Sequence, residues 1–211
     1  PRNARAPGLC CATPPSIFMN PIDILIMAAG KGTRMKSRTP KVLQRLAGRP
    51  LLHHVLDQAA HLQARSAIVI TGHGATEVEA ATAGLASVAG QYDLKFVRQE
   101  PQLGTGHAVQ QAVPCLADDG TVVVLSGDVP LTQADTLRAL VAASQAGGQL
   151  ALLTVRLPDP TGYGRILRDG AGQVAGIVEH KDASEAQRAI DEIYSGIMAV
   201  PARLLKPWLA R

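Results

Sequence analysis

Apolar and polar positions alternate between two periods along most of the chain, and the change of period marks its elements. The run Ile22 to Met27, broken only by Asp23, has the length and continuity of a central strand covered on both faces. Leu51, Leu52, Val55, Leu56, Ala59 and Leu62 follow Pro50 at helical spacing, predicting an amphipathic helix over 50–62 with proline near its first turn. A short buried strand is expected over 67–71, ended by Gly72-His73-Gly74, then a helix over 75–83 and a strand over 94–98. A helix through Val109 and Val113 follows, and 121–125 is the clearest strand. Thr132 with Asp135 three residues later resembles a capping box and predicts the start of the next helix. Such alternation implies a parallel sheet with helices on both faces, a Rossmann-like α/β fold. Beyond Leu150 the pattern turns strand-like over 150–157, 164–168, 174–178 and 193–200, predicting a mixed edge that covers the site.

The first strand runs into Ala28-Ala29-Gly30-Lys31-Gly32-Thr33-Arg34-Met35, followed by Pro40-Lys41. Small residues leave the backbone bare there, so amide N–H groups can approach phosphate oxygens. Lys31, Arg34 and Lys41 add cations suited to a triphosphate. A tight glycine turn with a solvated basic face would also use these residue types. The dinucleotide fingerprint is excluded, because its third glycine position is Met35, and no Walker loop is present.

Composition limits what the loop can serve. The chain has 211 residues, 46% of them hydrophobic, enough for one substantial core. Aromatic residues are only 3%, so aliphatic packing must carry that core, and few side chains could stack on bases. With a net charge of +4 spread along the chain, no nucleic-acid surface is expected. No apolar run approaches the roughly 18 residues of a membrane span, so no membrane partner is expected. Cys10, Cys11 and Cys115 have no metal or disulfide spacing, which suits a reducing cytoplasm. Residues 1–18 hold four prolines and no acidic residue, and they lack the apolar core of a signal peptide. A disordered extension that is not native is expected there, with the domain over 19–211.

In open α/β sheets ligands sit beyond the carboxyl ends of the strands. Those ends are the glycine-rich loop, Gln99, and Ser126-Gly127-Asp128-Val129-Pro130. Asp128 is the best metal-ligand candidate, since a carboxylate at a strand end beside an open glycine can hold Mg²⁺ against phosphates. A turn-forming role before Pro130 would also suit it.

The segments Met27–Met35, Pro40–Leu43, Gln102–Ala108, Gly127–Leu131, Asp159–Ile166 and Ile177–Ala183 are colinear. Together they resemble the uridylyltransferase half of the bacterial bifunctional N-acetylglucosamine-1-phosphate uridyltransferases/glucosamine-1-phosphate acetyltransferases. The resemblance implies a nucleotide-diphospho-sugar transferase fold and a Mg²⁺-dependent reaction of UTP with N-acetylglucosamine 1-phosphate. Its products would be UDP-N-acetylglucosamine and pyrophosphate, for cell-envelope precursors. Another sugar 1-phosphate nucleotidyltransferase, or a nucleotide-sugar binding fragment without catalysis, are the alternatives.

What the resemblance implies for single residues follows its motifs. The backbone of Met27, Ala28, Ala29 and Gly30 would cradle the nucleotide, and Arg34 and Lys41 would neutralise the triphosphate. Gln99, Gly104 and Thr105 would recognise uracil, the Gln99 carboxamide offering a donor and an acceptor to the imide edge. Ser126, Gly127 and Asp128 would meet sugar and metal, while Gly164, Glu179 and Tyr194 would line the sugar pocket. Tyr194 stands where the resembling enzymes often carry Asn, so that contact would be replaced or lost. The sugar phosphate is already an anion, so no side-chain nucleophile is required, and the histidines need no catalytic role; His107 and His180 alone lie inside the motifs. The resemblance also implies a second metal ligand and a trimerising acetyltransferase domain beyond Arg211, so the nucleotidyltransferase domain is expected to be C-terminally incomplete.

Overall fold

The computed structural model describes residues 20–30, 32, 35–83, 85 and 92–210. The expected extension over 1–18 lies outside them, as do Met19, Lys31, Thr33 and Arg34. The described elements are β1 (Ile22–Ala28), β2 (Arg45–Leu46), β3 (Arg49–Pro50), α1 (Leu51–Ala60), β4 (Ser66–Thr71), α2 (Ala75–Ala83), β5 (Asp93–Arg98) and α3 (Thr105–Ala112). They continue with β6 (Thr121–Ser126), α4 (Ala134–Gly147), β7 (Ala151–Arg156), β8 (Arg165–Arg168), β9 (Val174–Val178), α5 (Glu185–Arg188), β10 (Glu192–Pro201) and α6 (Ala202–Leu209).

The main sheet runs β5-β4-β1-β6-β10-β8-β9, with β7 also paired to β10. Strands β5, β4, β1 and β6 are parallel, so their carboxyl ends share one edge. Alternation along β1 sorts its side chains. Ile22, Ile24 and Ile26 join Leu52, Val55, Leu56, Leu137 and Val141 of α1 and α4 on one face. Leu25 joins Val109 and Ala112 of α3 and Leu205 of α6 on the other. The predicted doubly covered sheet is therefore present, and the fully buried apolar side chains on both faces are aliphatic.

Asp23, the interruption in the apolar run, is buried at the amino end of the sheet. Its carboxylate accepts hydrogen bonds from Ser66 Oγ at 2.7 Å and from Arg65 Nη2 at 2.6 Å. The charge is thus paired at the edge opposite the strand ends where ligands bind, and it serves the fold.

Three details differ from the pattern. Thr132 does not cap α4: the N-cap is Gln133, without a side-chain bond, and Thr132 Oγ1 only reaches Val129 O at 3.5 Å. The chain between β6 and α4 already turns through Val129 N–H to Ser126 O, which displaces the threonine by one residue. A capping box does form at α5, where Ser184 and Gln187 bond reciprocally. The hairpin β2–β3 and helix α6 follow no periodicity long enough to be read. Finally, the helix through Val113 ends at Ala112 and tightens into a 3-10 turn at Val113–Cys115, where Pro114 supplies no amide.

Candidate active site

The carboxyl ends of β1, β5 and β6 open into one cleft of about 660 Å³. Parallel register sets Met27 level with Ser126, so the loops after β1 and β6 leave the sheet side by side. Gly127 N–H donates to Met27 O at 3.0 Å and ties them. A Cβ at Gly127 would lie 3.0 Å from that carbonyl and 3.1 Å from Val42 Cγ1, so a glycine is needed for this approach. Met27, Ala28, Ala29 and Gly30 form one wall, Gln99, Gly104 and Thr105 a second, and Ser126 and Asp128 a third.

Lys41 reaches the cleft from a 3-10 turn over Lys41–Leu43 that is anchored at both sides. Val42 is buried in the core, and Pro40 lies so close to Gly74 that a Cβ there would be 2.6 Å from its ring. Gly32, at φ +58°, crosses the base of the lysine, where a Cβ would meet Lys41 Cβ at 2.9 Å. The ammonium forms an ion pair with Asp128 Oδ2. Ser126 Oγ donates to Asp128 Oδ1 at 2.7 Å. Burial alone would raise the Asp128 pKa, but Lys41 and Ser126 outweigh it and hold the carboxyl below its ordinary value. At neutral pH the cleft floor therefore presents an ionised carboxylate paired with a lysine.

Gln99 is buried, and its orientation narrows the expected role. Its Nε2 donates to Gly104 O at 2.8 Å and lies 3.2 Å from His107 Nδ1. The amide nitrogen is thus committed to the loop that starts α3, which leaves the carbonyl oxygen, an acceptor only, for a bound base. His107 buttresses Gln99 and is absent from the residues lining the cleft. Gln102, which the sequence reading left out of the site, lines the cleft and donates from Nε2 to Ala29 O at 2.9 Å, joining two of the walls. Gly32, Met35, Val42 and Ala108 line it as well. The signal for Gln102 was its place directly before Leu103-Gly104-Thr105, within a segment already singled out.

Gly164, Glu179 and Tyr194 form a separate group and are not among the cleft-lining residues. Tyr194 N–H donates to Gly164 O at 3.0 Å, and a Cβ on Gly164 would be 3.6 Å from Glu179 Oε1. Antiparallel pairing of Met198 with Val124 carries the residues before Met198 past the carboxyl end of β6, toward the edge where the cleft lies. Burial pushes the Tyr194 phenol up to about 12, so it stays neutral. Arg34 lies outside the described residues.

A mostly parallel, doubly covered sheet with a bare loop, a lysine and a carboxylate paired at its strand ends defines the nucleotidyltransferase class. The chain belongs to the MobA-like NTP transferase domain family, whose model matches residues 24–191. The fold is the Rossmann-like one of nucleotide-diphospho-sugar transferases. HddC from Yersinia pseudotuberculosis superposes with a TM-score of 0.70 at 22% identity, over 88% of this chain and 79% of that one. A UDP-glucose pyrophosphorylase complexed with UDP-glucose gives 0.72 at 16% identity, over 90% and 80%.

Among sequences, the chain is similar to the bifunctional protein GlmU of Acidovorax sp. (strain JS42), 79% identical over 193 residues. That match covers 92% of this chain and 40% of the relative. The GlmU of Alkalilimnicola ehrlichii is 54% identical over 190 residues, 90% of this chain and 39% of the relative. The chain thus spans about two-fifths of the length of these curated relatives.

Proposed function

We propose that the chain transfers a uridylyl group from UTP to N-acetylglucosamine 1-phosphate, as a cytoplasmic step toward cell-envelope precursors. The observation that carries this reading is the convergence of three strand-end loops on one cleft, with Lys41 and Asp128 paired on its floor. The similarity to GlmU proteins supports the choice of substrates. An oxygen of the sugar phosphate attacks the α-phosphorus of UTP, and the bond to the β-phosphate breaks to release pyrophosphate.

Each residue then has a task. The Met27–Gly30 backbone receives the nucleotide, with Gly127 holding that loop beside β6, and Gln99 Oε1 accepts the imide N–H of uracil while the Gly104–Thr105 backbone borders the ring. Lys41 moves from Asp128 to the phosphates and stabilises charge as pyrophosphate leaves, with Arg34 proposed beside it. Gly164, Glu179 and Tyr194 receive the acetamido sugar; Glu179 accepts from its hydroxyls.

Mg²⁺ fits the donor set at Asp128. The group is one hard, ionised carboxylate, and no cluster of three or more acidic, histidine or cysteine side chains stands among the described residues. Such a site suits a cation shared with substrate phosphates and water. When bound, Mg²⁺ would neutralise phosphate charge and draw the α-phosphate into line. Asp128 is the proposed ligand, and Ser126 orients it. The residues from 19 onward are proposed to belong to the nucleotidyltransferase domain.

Substrate choice is tested by titrating the protein with UTP, CTP, ATP and GTP, then supplying a panel of sugar 1-phosphates. Preference for UTP, with turnover confined to N-acetylglucosamine 1-phosphate, is expected. Equal turnover of glucose 1-phosphate would replace the proposed sugar.

A further inference from the structure

The antiparallel extension of the sheet buries a charge that the proposed reaction does not use. Arg165 opens β8 and is only 1% exposed. Its guanidinium donates to Tyr163 O and, at 3.3 Å each, to Arg188 O and His180 Nδ1. None of these partners is a carboxylate, and its Nε is buried with no hydrogen-bond partner. Asp159 feels the charge across space without a direct contact. A buried guanidinium held by dipoles alone costs more desolvation than an apolar side chain of that volume, so packing does not account for it.

Its partners account for it better. Tyr163 ends the loop that Asp159 shapes by accepting from Thr161 N–H at 3.1 Å. His180 follows β9, and Arg188 closes α5 and returns a bond from Nε to His180 O at 3.2 Å. One planar fork therefore ties the open end of the β8–β9 ladder, where Gly164 and Glu179 lie just beyond the Arg165–Val178 pair, to the close of α5, which lies outside that ladder. Because arginine only donates, His180 Nδ1 is the acceptor in this contact. The residues bracketed by these contacts are Gly164, bonded in chain to Arg165, and Glu179, bonded in chain to His180. A Cβ on Gly164 would sit 3.1 Å from Ile177 Cγ2 and 3.6 Å from Glu179 Oε1, so small shifts of either segment change the space between them.

We propose that Arg165 is a positioning residue for the sugar-phosphate substrate, locking Gly164 and Glu179 at the separation that receives the sugar ring. This rests on the uridylyltransferase reading. It assigns Arg165 no contact with substrate and no part in binding UTP, whose cleft is built from other strands.

The test is a split in Michaelis constants, measured on the full-length protein with saturating Mg²⁺. Arg165→Met removes all three bonds, and Arg165→Lys keeps the charge but loses the planar fork. The Met variant is expected to raise KM for N-acetylglucosamine 1-phosphate about tenfold or more, with KM for UTP within about twofold and the Lys variant between. Equal rises in both constants, a loss confined to kcat, or no change would overturn the positioning role. If the Met variant does not fold, His180→Ala, which removes one bond, carries the test with an expected rise of about threefold in the sugar constant alone. An inactive wild-type protein would remove the functional reading and this role with it. An unsplit variant of an active protein removes this role only.

Discussion

Replacing Asp128 by alanine separates what the carboxylate does for the fold from what it does for the chemistry. Its structural worth is small. The pair with Lys41 joins side chains that are 22% and 39% exposed, a setting in which such pairs contribute about 0.2–1 kcal/mol. The bond from Ser126 adds about 1 kcal/mol. The total is about 2 kcal/mol at most, equal to roughly 4–8 °C of Tm for a domain of this size. Loss of a preorganised group that holds charge in the transition state costs about 100- to 1,000-fold in kcat. Asp128→Ala should therefore melt within about 8 °C of the parent while pyrophosphate release falls at least 100-fold. Thermal unfolding and a coupled pyrophosphate assay on the same preparation measure both. Retention of more than a tenth of the activity, or a far larger loss of Tm, would refute the reasoning, since Asp128 would then be a structural turn residue.

Other expectations follow from single contacts. Gln99→Glu replaces the donor to Gly104 O with a second acceptor, and should raise KM for UTP about 10- to 100-fold while sparing the sugar constant; an unchanged UTP constant would remove Gln99 from base recognition. Glu192 is buried, and the bidentate Arg168, at 2.8 and 2.6 Å, holds its pKa down to about 2 against the opposing effect of burial. A depressed carboxylate contributes stability that is full above its ordinary value of 4.5 and is lost as pH falls through about 2. The loss should be on the order of 2–3 kcal/mol, so Glu192→Gln should flatten acid unfolding between those values. Ser184→Ala should cost about 1 kcal/mol by urea unfolding and Thr132→Ala less than about 0.5, because only the serine caps a helix; the reverse order would contradict the capping assignment.

The sequence carried the sheet and its helices because strongly periodic segments leave little choice. Leu52, Val55, Leu56 and Ala59 were legible as one face of α1, and all four are buried there. Met27, Gln99 and Asp128 were legible as strand ends, and parallel register does place them around one cleft. The place of Gln102 beside Leu103-Gly104-Thr105 was a signal, but its bond to Ala29 O was not legible, since it spans loops far apart in sequence. The direction of the Gln99 amide depends on Gly104 and His107, and no pattern encodes it. Arg165 lies inside the Asp159–Ile166 segment, but nothing in its residue type marks it as buried. Only the packing of β8 against α5 and the turn after β9 shows that it is buried.

The most direct test of the account is the formation of UDP-N-acetylglucosamine by this chain from UTP and N-acetylglucosamine 1-phosphate, with Mg²⁺ and again with a chelator. The account predicts product and equimolar pyrophosphate with the metal and none without it. Product that forms equally well with the chelator present, or no product in either condition, would contradict it.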